Sequence, residues 1–388
     1  MPTLTHLKTI GACALCFLVI IMVGCAPKAR KAGGYMDTPQ THCKEGTKYV
    51  NDGKFDKAEE EFNLAVSLDQ KFAPAYAGLA LVQAHKGNFK EALKMADKAQ
   101  SLDSKLPDAY IAKAMVITMQ NEGKPAKEWI KDVEKEYDKA LKIDPQNSEA
   151  YYRRGFCYKK AYEFGKASDD FKKVLELKKD FTKEADDEWQ IIQMIERAAP
   201  GTDVGKRIAL VEKISRADIA ALFVSELQID KLIEKKRPKH YDTDYKAPAD
   251  AREMKVDSAV SMAAVTDING HWAKNFIMDI VDYKIRGLEP YPDHTFHPDQ
   301  LVNRGEYAMV VEDAIIAILR DPTLATKHIG SQSRFPDVNP SHPAYNAICN
   351  AVDKGVMSAE MNGEFGPDKG VSGPEALLVI RKLKELQK

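Results

Sequence analysis

The stretch KFDKAEEEFNLAVSLDQKFAPAYAGLALVQAHKGNFKEALKMADKAQSLDS, residues 54–104, lines up on itself with a period of 34 residues: Ala58 falls on Ala92, Phe62 on Ala96 and Ala65 on Ala99. The same register returns at Val133, Tyr137 and Ala140, after an interval of 41, and again at Ala167, Phe171 and Val174 after 34. Small residues recur on that schedule at Gly46, Ala80, Ala114 and Gly155, with Tyr49, Ile117 and Tyr158 three positions later and Gln83 departing from the pattern. Spacings of four and seven put residues on one face of a helix. Each repeat therefore predicts two antiparallel helices whose small residues let the backbones approach, while the larger side chains fill the gap to the next hairpin.

This pattern resembles the tetratricopeptide repeat (TPR), in four copies over residues 39–181. Pro145 stands where the family's terminal proline falls, Gln70, Ser104 and Lys179 replace it elsewhere, and the third copy carries an insertion near Gly123 to Trp129. The resemblance implies a concave face built from the first helix of each hairpin, here Ala77 and Leu81, Ile111 and Met115, Tyr152 and Phe156. That stripe is apolar and suits a hydrophobic peptide or helix from a protein partner. Packing between neighbouring hairpins would account for it equally well.

The second half of the chain repeats something else. KISRADIAALFVSEL (213–227), LVNRGEYAMVVEDAI (301–315) and GVSGPEALLVIRKL (370–383) each place an N-cap residue three before an acid: Ser215 with Asp218, Asn303 with Glu306, Ser372 with Glu375. Such capping boxes fix the starts of three helices. Upstream of the second and third lie an Asp-containing turn, an amphipathic helix, a loop with glycine and a Phe before a Pro. These features resemble the S-layer homology (SLH) motif. The copy at 265–320 carries Asp267, His271-Trp272-Ala273, Tyr291-Pro292-Asp293, Phe296 and Asn303-Arg304-Gly305-Glu306. The copy at 334–388 keeps Phe335, Asp337, Phe365 and Glu375 but has Pro343 for the Trp and Gly373 for the Arg. A degenerate first copy spans 182–235, with Ser215-Arg216-Ala217-Asp218 and a leading helix near Trp189 to Arg197 that also follows the last TPR hairpin. The expected fold is thus mainly all-α, an α-solenoid followed by a three-motif helical prong with short loops. A polar insertion at 236–264 and a linker at 321–333 separate the motifs.

Arg216 and Arg304 each sit one residue inside a helix start, where the dipole disfavours a cation. Something must compensate. The SLH resemblance implies an anionic cell-wall polymer, peptidoglycan or a wall polysaccharide, received by these guanidinium groups and by free N–H groups of the helix start. A salt bridge to a neighbouring acid would serve as well. Asp267, Tyr291 and Asp293 complete the expected wall-polymer site, and Trp272, which starts an amphipathic helix, is expected in the core.

The N-terminus carries His6 and Lys8 and then an uncharged stretch from Thr9 to Gly24, 16 residues long and too short to span a bilayer as a helix. Its end, Met22-Val23-Gly24-Cys25, resembles a bacterial lipobox, which implies a signal peptide over 1–24 and a lipid on Cys25. With Ala26 following the cysteine, the implied address is the outer membrane in a two-membrane cell and the outer face of the plasma membrane otherwise. Residues 25–38, with Lys28, Arg30 and Lys31, read as a flexible tether. Cys43, Cys157 and Cys349 are left, as buried thiols or with one pair bridged.

In 388 residues, 57 Lys+Arg against 58 Asp+Glu give a net charge of −1, which argues against nucleic acid as a partner. The chain shows no HExxH, Walker A, GxSxG or SxxK pattern. His294 and His297 lack a second ligand pair, so no metal and no cofactor are expected. The functional expectation is a non-enzymatic envelope tether or scaffold. The alternative is a TPR assembly factor or secretion pilot whose SLH region is a spacer, and a wall-modifying enzyme is the weakest reading.

Overall fold

The computed structural model describes residues 30–233 and 265–387. Cys25 and the signal stretch therefore lie outside the described residues, as do Lys235 and the whole polar insertion, with its Lys236, Arg237 and Lys239. The described residues are helical, with only isolated bridges in place of strands. They fall into two compact units, one reaching Cys157 and including Leu177–Asp180, the other comprising Tyr158–Glu176 and the chain from Phe181 onward.

The first unit contains three complete hairpins and most of a seventh helix. The hairpins are α1 (Pro39–Asn51) with α2 (Phe55–Leu68), α3 (Ala73–His85) with α4 (Phe89–Leu102), and α5 (Pro107–Gln120) with α6 (Ile130–Ile143); α7 is Ser148–Lys160. Pro39, Pro74 and Pro107 stand in first turns, where the missing N–H has no intrahelical partner to lose. Inside the first two hairpins the chain reverses through Gly53 (φ +70°) and Gly87 (φ +79°). Between hairpins the reversal is made by Asp69, Asp103 and Asp144, whose Oδ1 accepts the N–H two residues on at 2.8, 2.9 and 3.0 Å. The carbonyls of Gln70, Ser104 and Pro145 then accept from the hydroxyls of Tyr76, Tyr110 and Tyr151. The period in the sequence is thus also a period in hydrogen bonds.

Phe62 and Tyr137 are fully buried at the aromatic positions of their repeats. The Phe62 ring occupies space that glycines vacate: a Cβ on Gly46 would lie 2.8 Å from it and one on Gly78 2.3 Å. The insertion of the third repeat is folded, with a 3₁₀ turn at Ala126–Glu128 followed by buried Trp129. Cys43, Cys157 and Cys349 are free thiols, the latter two buried. Overpacking of this kind typically costs about 1–3 kcal/mol. Gly78→Ala should lower the urea midpoint of the full chain accordingly, and Gly53→Asn, at a left-handed turn open to solvent, should not.

The second unit holds α8 (Phe164–Leu177), α9 (Thr182–Ala198), α10 (Asp203–Ile208), α11 (Arg216–Leu222), α12 (Lys274–Val281), α13 (Arg304–Leu319), α14 (Tyr345–Asp353) and α15 (Gly373–Glu385). Helices α11, α13 and α15 are the three capped helices of the sequence pattern. Every residue of α11 is buried. The residues ahead of the caps, Ile214, Val302 and Val371, are buried too. Ile214 N–H donates to the Val371 carbonyl at 2.9 Å and Val302 N–H to that of Ile214 at 3.1 Å. Helix α9 packs against α15, and its Gln193 Nε2 donates to Ser168 Oγ of α8 at 3.0 Å, so one helix touches both the last TPR-like helix and the last capped helix.

Ser215–Asp218 and Asn303–Glu306 form complete capping boxes. In the third, Ser372 Oγ accepts from Glu375 N–H, and the Glu375 carboxylate, held by the Ser372 backbone, also pairs with Arg304.

Candidate functional site

The starts of the three capped helices are not open to solvent. Arg216 and Ala217 donate their N–H groups to the carbonyls of Gln300 and Pro298, ahead of the second capped helix, at 2.9 and 3.0 Å. Arg304 and Gly305 donate to Lys369 and Pro367, ahead of the third, at 2.8 and 2.9 Å. Gly373 donates to Val211, ahead of the first, at 2.8 Å. Each helix start is thus docked on the loop of the next motif, and the third closes on the first.

The arginines follow the same circuit. Arg216 is only 7% exposed, and its guanidinium donates to the carbonyls of Phe296, Gly287 and Glu289 at 2.8, 2.5 and 2.9 Å. Burial pulls its pKa below the ordinary arginine value, against the opposing pull of Tyr291 and nearby carboxylates. Arg304 donates to the carbonyls of Phe365 and Ser358 at 2.9 and 2.8 Å and pairs with Glu375. Burial holds the Glu375 carboxyl above its usual range even with Arg304 against it. Of the two compensations open to these arginines, an anionic ligand or an internal acid, Arg304 has the internal carboxylate of Glu375, and Arg216 is met by loop carbonyls.

Gly373 explains why the third motif lacks its arginine. A Cβ there would lie 1.8 Å from the Ile208 carbonyl oxygen, so ring closure itself excludes a side chain. Restoring the family residue with Gly373→Arg should lower the thermal midpoint. Arg216→Ala, which strands three carbonyls in a buried site, should cost on the order of 3 kcal/mol in chemical denaturation.

Asp267 is likewise committed. Its two oxygens accept from the N–H groups of Phe296 and His297 at 2.8 and 2.7 Å, as Asp337 accepts from Phe365 and Gly366 at 2.9 and 2.6 Å in the next motif. Asp293 Oδ1 accepts from Thr295 N–H and Oγ1 at 3.0 and 2.6 Å, bonds that hold its carboxyl below the usual range. Tyr291 stands at the surface, its hydroxyl donating to Gln300 Oε1 at 3.0 Å and its ring edge-on to His297. Among the described residues no group of His, Cys, Asp and Glu is placed to hold a metal ion.

Trp272 corrects the sequence reading. It is 43% exposed rather than core, because Ala273 and Ile277 turn the apolar face of α12 inward and leave the indole outside. The Arg207 guanidinium lies over its ring, 3.4 Å from the centroid. Arg207 has no ion-pair partner among the described residues, and its Nη2 is buried without a hydrogen bond. Nothing in the sequence pattern singles out Arg207, which belongs to no recurring position.

Of the six groove residues, Ala77 and Ile111 are buried, Ala77 in a cluster with Ala99, Ala109 and Ala112, so these two pack rather than face a guest. Leu81, Met115 and Tyr152 are half-buried, and Phe156 is 36% exposed.

The S-layer homology domain family matches residues 266–308 and 334–377, and a tetratricopeptide repeat family matches residues 136–167. The chain combines TPR and SLH repeats. Both are binding modules, the SLH motif associated with the cell surface and the TPR with protein–protein contact. Solved structures similar to the chain include a thermophilic TPR protein of Thermus thermophilus, with 17% identity and a TM-score of 0.35 over 50% of this chain and 95% of that one. A TPR protein from Parabacteroides merdae shows 18% identity and a TM-score of 0.31 over 50% and 70%. Pseudomonas aeruginosa pilF shows 16% and 0.32 over 50% and 91%. Comparison with curated proteins finds no match. Among the described residues no helix is long and apolar enough to cross a membrane.

Proposed function

We propose that this chain is an exported lipoprotein, anchored through Cys25, that binds an acidic cell-wall polymer through its SLH unit and a protein partner through its TPR unit, without catalysis. In a two-membrane cell it would face the periplasm from the outer membrane. The observation that carries the wall-binding half is the Arg207–Trp272 pair, a guanidinium without a carboxylate partner stacked on a half-exposed indole. An indole face suits the C–H face of a sugar, and a guanidinium edge adds a charge-assisted hydrogen bond to an acidic group of the polymer. Tyr291 stands as a rim residue. Arg216, Arg304 and Asp267 hold the site's frame, and Asp293 shapes its loop. On the TPR side, Phe156 with Leu81, Met115 and Tyr152 would receive an apolar segment of the partner.

A second reading draws on the same geometry. Because Arg216 and Arg304 are consumed internally, the SLH unit could serve as a spacer beneath a TPR assembly factor or secretion pilot.

Sedimentation with purified wall sacculi separates the two. The full chain should pellet with sacculi, less so at high salt, and Arg207→Ala and Trp272→Ala should each stay in the supernatant with unchanged circular dichroism. Wild-type protein that stays in the supernatant would favour the spacer reading. Loss of radiolabelled palmitate in Cys25→Ser checks the anchor.

A further inference from the structure

The segment expected to be a loose tether is fastened. Arg30 N–H donates to the Ser67 carbonyl of α2 at 2.7 Å, and Arg30 Nε reaches Ser67 Oγ at 3.4 Å. Its guanidinium forks onto Asp37, with Nη1 to Oδ2 at 2.9 Å and Nη2 to Oδ1 at 2.5 Å, and Gly33 N–H donates to Oδ2 at 2.6 Å. Residues 33–37 are thereby tied into a turn whose tip, Tyr35 and Met36, stands 96% and 67% exposed. A single side chain ties this turn to the hairpin on its other side. His42, on α1, has Nε2 2.8 Å from Asp37 Oδ1 and Nδ1 2.7 Å from Glu61 Oε2 of α2.

Both ring nitrogens face carboxylate oxygens, and carboxylates accept but do not donate. Only the protonated ring has an N–H for each. A neutral ring serves one carboxylate and turns its lone pair on the other. We propose that His42 is a pH-operated clasp, closed on Asp37 and Glu61 while the imidazole is charged, which draws the 33–37 turn onto the first hairpin and, on becoming neutral, lets go of one carboxylate and leaves the segment held through Arg30 and Ser67 alone.

The surrounding charges set the direction. Asp37 is held far below the ordinary carboxylate range by the Gly33 N–H and the Arg30 guanidinium, so it stays ionised. For His42, burial pulls downward, but the hydrogen bonds it donates to Glu61 and Asp37 outweigh it, and the net shift is upward from 6.5. A raised folded-state pKa means that the clasp's contribution is complete below the unfolded value and is lost as pH rises through the folded one. The clasp opens on the alkaline side.

The effect is one of reach. While Arg30 is held on Ser67 the first fixed point lies five residues beyond Cys25, a span of at most about 18 Å; once the opened clasp lets those weaker bonds go as well, it moves to Thr38, thirteen residues beyond, about 45 Å. This consequence rests on the proposed lipid anchor; the clasp does not.

Hydrogen exchange of the full chain in detergent, corrected for intrinsic rates, tests it. Protection of the Arg30 and Gly33 amides should fall about tenfold per unit of pH above the His42 pKa, that pKa being read in the same sample from the ring Cε1–H resonance. In His42→Gln the protection should be low and flat with pH, with the first hairpin still helical by circular dichroism. Asp37→Asn should lower the His42 pKa. Wild-type protection that does not change through the titration, or a His42→Gln protein that follows the wild-type curve, would overturn the clasp. Because neither readout involves lipid or wall polymer, failure of the proposed function leaves this result intact.

Discussion

The SLH unit depends on one kind of contact made three times, a helix start whose free N–H groups dock on carbonyls of the next motif's loop. Helix N-termini carry unsatisfied donors and the positive end of the dipole, and loop carbonyls are the natural neutral complement. Because the third helix start docks on the loop before the first, the contacts close into a ring, and each motif lacks its full set of partners without the other two. The buried residues ahead of the caps, Ile214, Val302 and Val371, fill the centre that this closure creates. Gly373 marks the cost of closure, a position where backbone meets backbone and no side chain fits.

That geometry reassigns the charged residues. A buried cation at a helix start is tolerable only when its donors are all met, and Arg216 meets three carbonyls. Its work is cohesion between motifs. In the proposed wall-binding site the binding role falls to a residue whose donors are not all met internally. Arg207 fits that description, and its placement on Trp272 joins a charge to an apolar face at the surface.

The TPR unit is built on the opposite logic, in which repetition rather than closure supplies the order. The hairpins meet their neighbours through alanines and glycines at fixed intervals, with an aromatic between them at Phe62 and Tyr137 and an alanine, Ala96, in the second, so local spacing in the sequence translates directly into packing. The hairpins, their turns and the aromatic positions Phe62 and Tyr137 were therefore legible beforehand. The groove was legible only in part. Helical spacing identifies which residues share a face, but whether Ala77 lies on the floor or in the interface depends on how closely the next hairpin approaches. The contacts of residues 30–38 were not legible for a related reason: Arg30, Asp37, His42 and Glu61 are scattered over two helices and a turn, and no spacing rule joins them.

The sequence by itself determined the repeats, the caps, the helix starts and the residue types at each recurring position, because these follow from hydrogen-bond and packing patterns within a few turns of the chain. Only the tertiary structure decided what the charged side chains do. A guanidinium or an imidazole acts on whatever atoms lie within about 3 Å of it, and for Arg216, Arg304, Arg207 and His42 those atoms come from segments distant in the chain or from side chains whose approach no local pattern fixes.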